Sequence, residues 1–156
     1  MLKLDFSRDQ ITELFSAMLT VAPDRTSEHR PSMHFAAGLR DHLFKSPDIN
    51  LETLPVSTPE SFTRSFFEPH KAKIAIQFLI LMPYLSGILH DDDFERVNQY
   101  AETVGIEPNS LQDLNNIAHR RIKLALIDYG RRASNEFLPE KGLHKIWAVV
   151  TPVSYT

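Results

Sequence analysis

Cysteine is missing from this chain of 156 residues. That absence excludes disulfides, thiolate zinc sites, iron–sulfur clusters and cysteine nucleophiles, and it fits a reducing compartment such as the cytoplasm. Glycine is scarce, with five residues in all. No phosphate-cradling loop, dinucleotide turn or Gly-x-Ser-x-Gly elbow can be assembled from them. Charge of one sign is also lacking: the formal net charge is −3, which gives no electrostatic case for nucleic acid or anionic lipid. The longest apolar run, "IAIQFLILMPYLSGIL" at 74–89, has sixteen residues. It falls short of the roughly 20 that span a bilayer, and Gln77, Pro83, Ser86 and Gly87 interrupt it. A buried core helix is the better reading, not an integral membrane segment. Residues 1–8 alternate charge with apolar side chains and predict no secretory signal.

What remains is a globular composition, 42% hydrophobic and 24% charged, long enough for one domain over residues 1–156 with its own core. Helical signals dominate it. Ser7 followed by Gln10 is a capping-box spacing, and Ile11, Leu14, Phe15, Met18 and Leu19 then recur at helical intervals up to Val21-Ala22. Pro31 suits the first turn of a second helix, with Phe35, Leu39, His42 and Leu43 on one face. Residues 46–60 read as a connector holding at most a short helical turn. Thr58-Pro59-Glu60 starts a third helix that buries Phe62, Phe66 and Phe67. An apolar fourth helix covers about Lys71–Leu85, with a kink or early end at Pro83. A fifth runs from about Asp92 to Val104 and stops at Gly105, with Phe94, Val97, Tyr100, Ala101 and Val104 inward. A sixth begins at Pro108–Ser110, carrying Leu111, Leu114, Ile117, Ile122, Ala125 and Tyr129 toward the core. The expected fold class is therefore all-α, a single-domain bundle of about six or seven helices. The end of the chain, 137–156, contains the β-branched and aromatic "KIWAVVTPVSYT" and reads as an extended tail, packed on the helices or against a second subunit.

One stretch concentrates chemistry. "SGILHDDDFE", residues 86–95, sets Asp91, Asp92, Asp93 and Glu95 directly behind the apolar run. Acids at a helix start accept bonds from free amides and lie well in the helix dipole, and Asp92 with Glu95 has the spacing of an acidic capping box. Successive helical residues point about 100° apart, so three helical aspartates cannot converge on one cation. Hard cations want six or more oxygens, and no EF-hand spacing is present. The seven histidines lack a His-Glu-x-x-His pattern. The basic run His119–Lys123, with Arg131-Arg132, reads as a solvated helix face.

The order "FFEPHKAKIAIQFLILMPYLSGILHDDDFERVNQYAETVGI" resembles the TerB-like tellurite-resistance family. That family has an apolar helix, a loop like Ala-Asp-Gly-x-Ile-x-x-x-Glu, and a helix ending in a Leu-Gly-Leu-like turn. Gly87, Leu89, Val97, Tyr100, Ala101, Val104, Gly105 and Ile106 fall where that pattern wants them, and the similarity covers about residues 66–115. Val21-Ala22-Pro23-Asp24 is a fainter echo in the first half, in keeping with the family's two related helical halves. Ser86 stands at the family's loop aspartate and Asp93 at its glutamate. Position by position, the resemblance carries over Asp93 and Asp24, while Asp91, Asp92 and Glu95 are neighbours. It implies a non-enzymatic helical module in stress response. Such a module acts through protein partners, in a membrane-linked complex or as a homo-oligomer, and weak binding of a divalent cation to these acids is left open. The alternative is a metal-dependent enzyme that uses the Asp91–Glu95 cluster with histidine.

Overall fold

The computed structural model describes residues 5–28, 30–85 and 91–116, with Asp91 described by its backbone alone. The first helix, α1 (Arg8–Val21), starts as its sequence dictates. Ser7 accepts from the Gln10 amide at 3.1 Å, and Gln10 Oε1 accepts from the Ser7 amide at 2.9 Å, closing a capping box. The Gln10 side chain then does a second job, donating from Nε2 to the Ser65 carbonyl at 3.0 Å. A local cap thereby becomes a tertiary tie to the end of the third helix.

The second helix, α2 (Pro31–Gly38), continues into a π-helical turn, Leu39–Leu43. The Phe44 amide donates five residues back to the Leu39 carbonyl at 2.9 Å. Such a widened turn brings positions five apart, not four, onto one face. Leu39 is buried and Phe44 joins the core margin, whereas His42 is exposed. The expected face Phe35–Leu39–His42–Leu43 is thus corrected at His42. The connector that follows holds a short 3-10 turn, Leu51–Thr53.

Thr58 caps α3 (Pro59–Ser65), with Pro59 in the first turn. Its reciprocal partner is Ser61, whose hydroxyl accepts from the Thr58 amide at 3.0 Å. Phe62 and Phe66 are buried, but Phe67 is 74% exposed. The helix ends at Ser65, so helical spacing no longer governs where Phe67 points, and the expectation that it is buried is corrected.

Helix α4 (Pro69–Tyr84) starts earlier than its apolar pattern suggested, with Pro69 inside its first turn and not ahead of it. Every residue from Ile74 to Pro83 is buried, which is the behaviour of a helix apolar all round. Pro83 falls in the last turn, and the helix stops one residue later. Helix α5 (Asp91–Thr103) ends in a Schellman motif. Gly105 takes a φ of 88°, its amide donates to Glu102 at 3.0 Å, and the Ile106 amide donates to Ala101 at 2.9 Å. Residues 108–116 are helical again, with Leu111 and Leu114 buried. The tail at 137–156, the basic run at 119–132 and Ile117 and Ile122 lie outside the described residues.

The architecture is an all-α bundle, and the described residues include no strand. Helix α1 is its hub, packing against α2, α3, α4 and α5, while α4 also packs on α5. Aromatic rings stitch these elements together. Phe44 meets Phe6, Phe15 and Phe78 at centroid distances of 6.2, 5.5 and 5.8 Å. Phe62 meets Phe66 at 4.7 Å and, edge to face, Tyr100 at 5.3 Å. Edge-to-face pairs in this range add about 0.5–1.5 kcal/mol beyond area burial. No helix among the described residues is long and apolar enough to cross a membrane.

Candidate functional site

Two helix starts carry the acids that the sequence singled out. The first follows α1. The chain leaves that helix at Ala22 and turns through Pro23–Arg25, with the Arg25 amide on the Ala22 carbonyl at 3.3 Å. That turn folds Asp24 inward until it is only 9% exposed. Its carboxylate faces the start of α2, where Arg30 is the capping residue and makes no side-chain cap bond. The Ser32 amide donates to Asp24 Oδ2 at 3.0 Å, and the Ser32 hydroxyl donates to Oδ1. Asp24 therefore caps a helix from eight residues upstream, with a negative charge at the positive end of the helix dipole. Ser32 is itself 1% exposed, so both of its donors depend on that carboxylate.

The second start is that of α5. The helix begins at Asp91, so Asp91, Asp92 and Asp93 are all helical and fan around the axis. Asp92 occupies the second helical position, inside the helix. The capping box expected between Asp92 and Glu95 is thereby corrected, because a capping residue lies outside the helix it caps. Asp92 and Glu95 are exposed, whereas Asp93 is 8% exposed. Asp24 and Asp93 are the buried acids among the described residues. They are also the pair that the family resemblance carries over by position.

Among the described residues, no group of three or more His, Asp or Glu side chains is arranged to hold a metal ion. His34, His42 and His70 are exposed, on α2, its π turn and the start of α4. His29, His90, His119 and His144, and the Asp91 side chain, lie outside the described residues. The start of α5 also places Phe94 against Tyr84, edge to face at 5.5 Å. Burial raises the Tyr84 phenol above its ordinary range.

Farther along α5, Tyr100 is buried beside Phe62, and its hydroxyl closes no regular hydrogen bond among the described residues. Burial pushes that phenol up; the Ser57 hydroxyl partly offsets this, and the carboxylates of Glu13 and Glu60 add to it. Sequence spacing marked Tyr100 only as a core residue. Comparison of the chain with known protein families, with characterised proteins and with solved structures returned no match.

Proposed function

We propose that this protein is a non-enzymatic, TerB-like helical module of the cytoplasm. It would serve in tellurite or metal stress through protein partners, in a membrane-linked complex or as a homo-oligomer, with divalent-cation binding weak and secondary. One observation carries the reading. The two acids matched to the family by position, Asp24 and Asp93, are the two buried acids among the described residues; Asp24 bonds to the start of α2 and Asp93 lies in the first turn of α5, and both helices pack on the α1 hub. Buried acids of this kind hold a loop–helix junction in place, and Asp24 does so through both of its oxygens. The bundle would then act as a rigid surface for recognition.

Phe67 supports the protein-partner half of the reading. A phenylalanine 74% exposed at the α3–α4 junction is an aromatic anchor of the type enriched at binding surfaces. The test is genetic. A strain of the native host lacking the gene should become more sensitive to tellurite, and the wild-type gene should restore tolerance while Phe67→Ser should not. Because Phe67 is exposed, the variant protein should melt like the wild type. Unchanged tolerance in the deletion strain would overturn the stress function, and full rescue by Phe67→Ser would remove Phe67 as the anchor.

A further inference from the structure

A cleft of about 220 Å³ opens between α1, the start of α2 and the segment 51–56. Its apolar wall includes Leu19, Met33 and Val56, and Val56 is 80% exposed. Two arginines line the same space, Arg25 and Arg30, with Glu52 as the one acid in the lining. Neither arginine forms an ion pair among the described residues, although Arg8 and Arg40 both do. Arg30 Nε is buried and has no hydrogen-bond partner there. A buried charged donor without an acceptor is rare and calls for one. The α2 amide at Ser32 is already taken by Asp24, so the attraction of the cleft for an anion comes from the guanidinium groups and not from the helix end.

We propose that this cleft binds a small monocarboxylate with an apolar body. The charges guide the class: among the lining residues, two arginines stand against one glutamate, and the Asp24 carboxylate behind them is taken up by Ser32, an arrangement that suits a singly charged head and not a multiply charged phosphate. A planar carboxylate also matches the guanidinium fork. The apolar wall gives the rest of such a ligand a surface to cover, and the volume lies below the roughly 300–1,000 Å³ of sites for drug-sized molecules. The carboxylate would pair with the guanidinium of Arg30, which has no ion-pair partner of its own among the described residues, with Arg25 as the second cation, and the hydrocarbon would lie along Leu19, Met33 and Val56.

The experiment uses the full chain and sodium octanoate below its micellar range, followed by heteronuclear NMR. Octanoate should bind saturably and shift the signals of Leu19, Met33 and Val56. Acetate and inorganic phosphate at the same concentrations should not saturate. Arg30→Gln should weaken octanoate binding by about tenfold or more, the loss of one charge-assisted contact. Val56→Asp should weaken it similarly while leaving the fold intact, because that side chain is mostly in solvent. The proposal fails if octanoate does not saturate the wild type or if it binds both variants as tightly as the wild type. It also fails if phosphate binds as well as octanoate, since that would make the site a general anion site.

Discussion

The start of α2 and the start of α5 look alike in composition and differ in construction. At α2, one distant carboxylate serves a single buried serine, and both carboxylate oxygens and both serine donors are paired. At α5, three consecutive aspartates occupy the first turn, and only Asp93 is buried among those whose side chains are described. Farther along α5, polar atoms of Arg96, Asn98 and Tyr100 are buried without a hydrogen bond among the described residues. Acid content is therefore a poor guide to what an acidic helix start does. The α2 junction concentrates its electrostatics in one pair, whereas the exposed Asp92 at α5 meets the helix dipole and the solvent. A substitution should accordingly cost far more at Asp24 than at Asp92.

The largest effect is expected at Asp24. Asp24→Ala leaves the Ser32 amide and hydroxyl buried without an acceptor, and should destabilise the protein by about 2–3 kcal/mol. Asp24→Asn keeps one oxygen for the amide, and the serine hydroxyl can turn to accept from the new NH₂ group, so it should cost about 1 kcal/mol. Urea melts of both variants, with chelator and with millimolar calcium, magnesium or zinc, check the assignment. If only the wild type gains stability from a metal and the two variants behave alike, Asp24 is a cation ligand first and a cap second.

Local signals were legible in the sequence because their partners lie three or four residues away. The Ser7–Gln10 box, the Thr58-Pro59 start, the Gly105 stop and the buried run of α4 all belong to this kind. Asp24 and Ser32 are eight apart across a turn, a distance no capping pattern samples, so that bond was invisible until the turn was seen. His42 was misplaced because the π turn changes the periodicity at Leu39. Phe67 was misplaced because its helix ends two residues before it. The Asp92–Glu95 spacing fits both a capping box and two positions within one helix, and only the starting residue separates these. The arginine cleft was out of reach because its walls come from α1, the start of α2 and a connector far along the chain. Of the candidate site, the two buried acids were named in advance, but not the bonds that bury Asp24.

An intermediate effect should come from Tyr100 and should have the opposite sign. Its hydroxyl is buried with no regular bond among the described residues, so removing it should not leave a described partner unsatisfied. Tyr100→Phe should leave stability unchanged or raise it by up to about 1 kcal/mol at neutral pH, since deleting a buried orphan removes its desolvation cost. The pH dependence follows from the raised phenol. A group whose folded pKa lies above its unfolded value contributes stability that is complete below the unfolded value, about 10 for tyrosine. That contribution disappears as pH rises through the folded value. Wild-type stability should fall above about pH 10, and Tyr100→Phe should fall less over the same window. A variant that loses stability at pH 7 would show that the Ser57 contact is a strong hydrogen bond and would weaken the contrast between the two helices.

The smallest effect is expected at Asp92, despite its place in the most acidic stretch of the chain. It is exposed and lies inside the first turn of α5, so its contribution is that of a negative charge near a helix N-terminus. Such charges contribute about 0.3–1 kcal/mol at low ionic strength. Asp92→Ala and Asp92→Asn both remove the charge and should therefore cost nearly the same. A true capping residue would behave differently, because the Asn amide oxygen still accepts from a backbone amide and should retain most of the stability. Salt supplies a second discriminator: the cost of either variant should shrink as ionic strength rises toward 1 M, where the screening length falls to about 3 Å. Equal costs that fade with salt place Asp92 in the dipole field. A large loss for Ala alone that persists in salt would return Asp92 to the capping role, and a metal-dependent gain confined to the wild type would make the stretch a cation site.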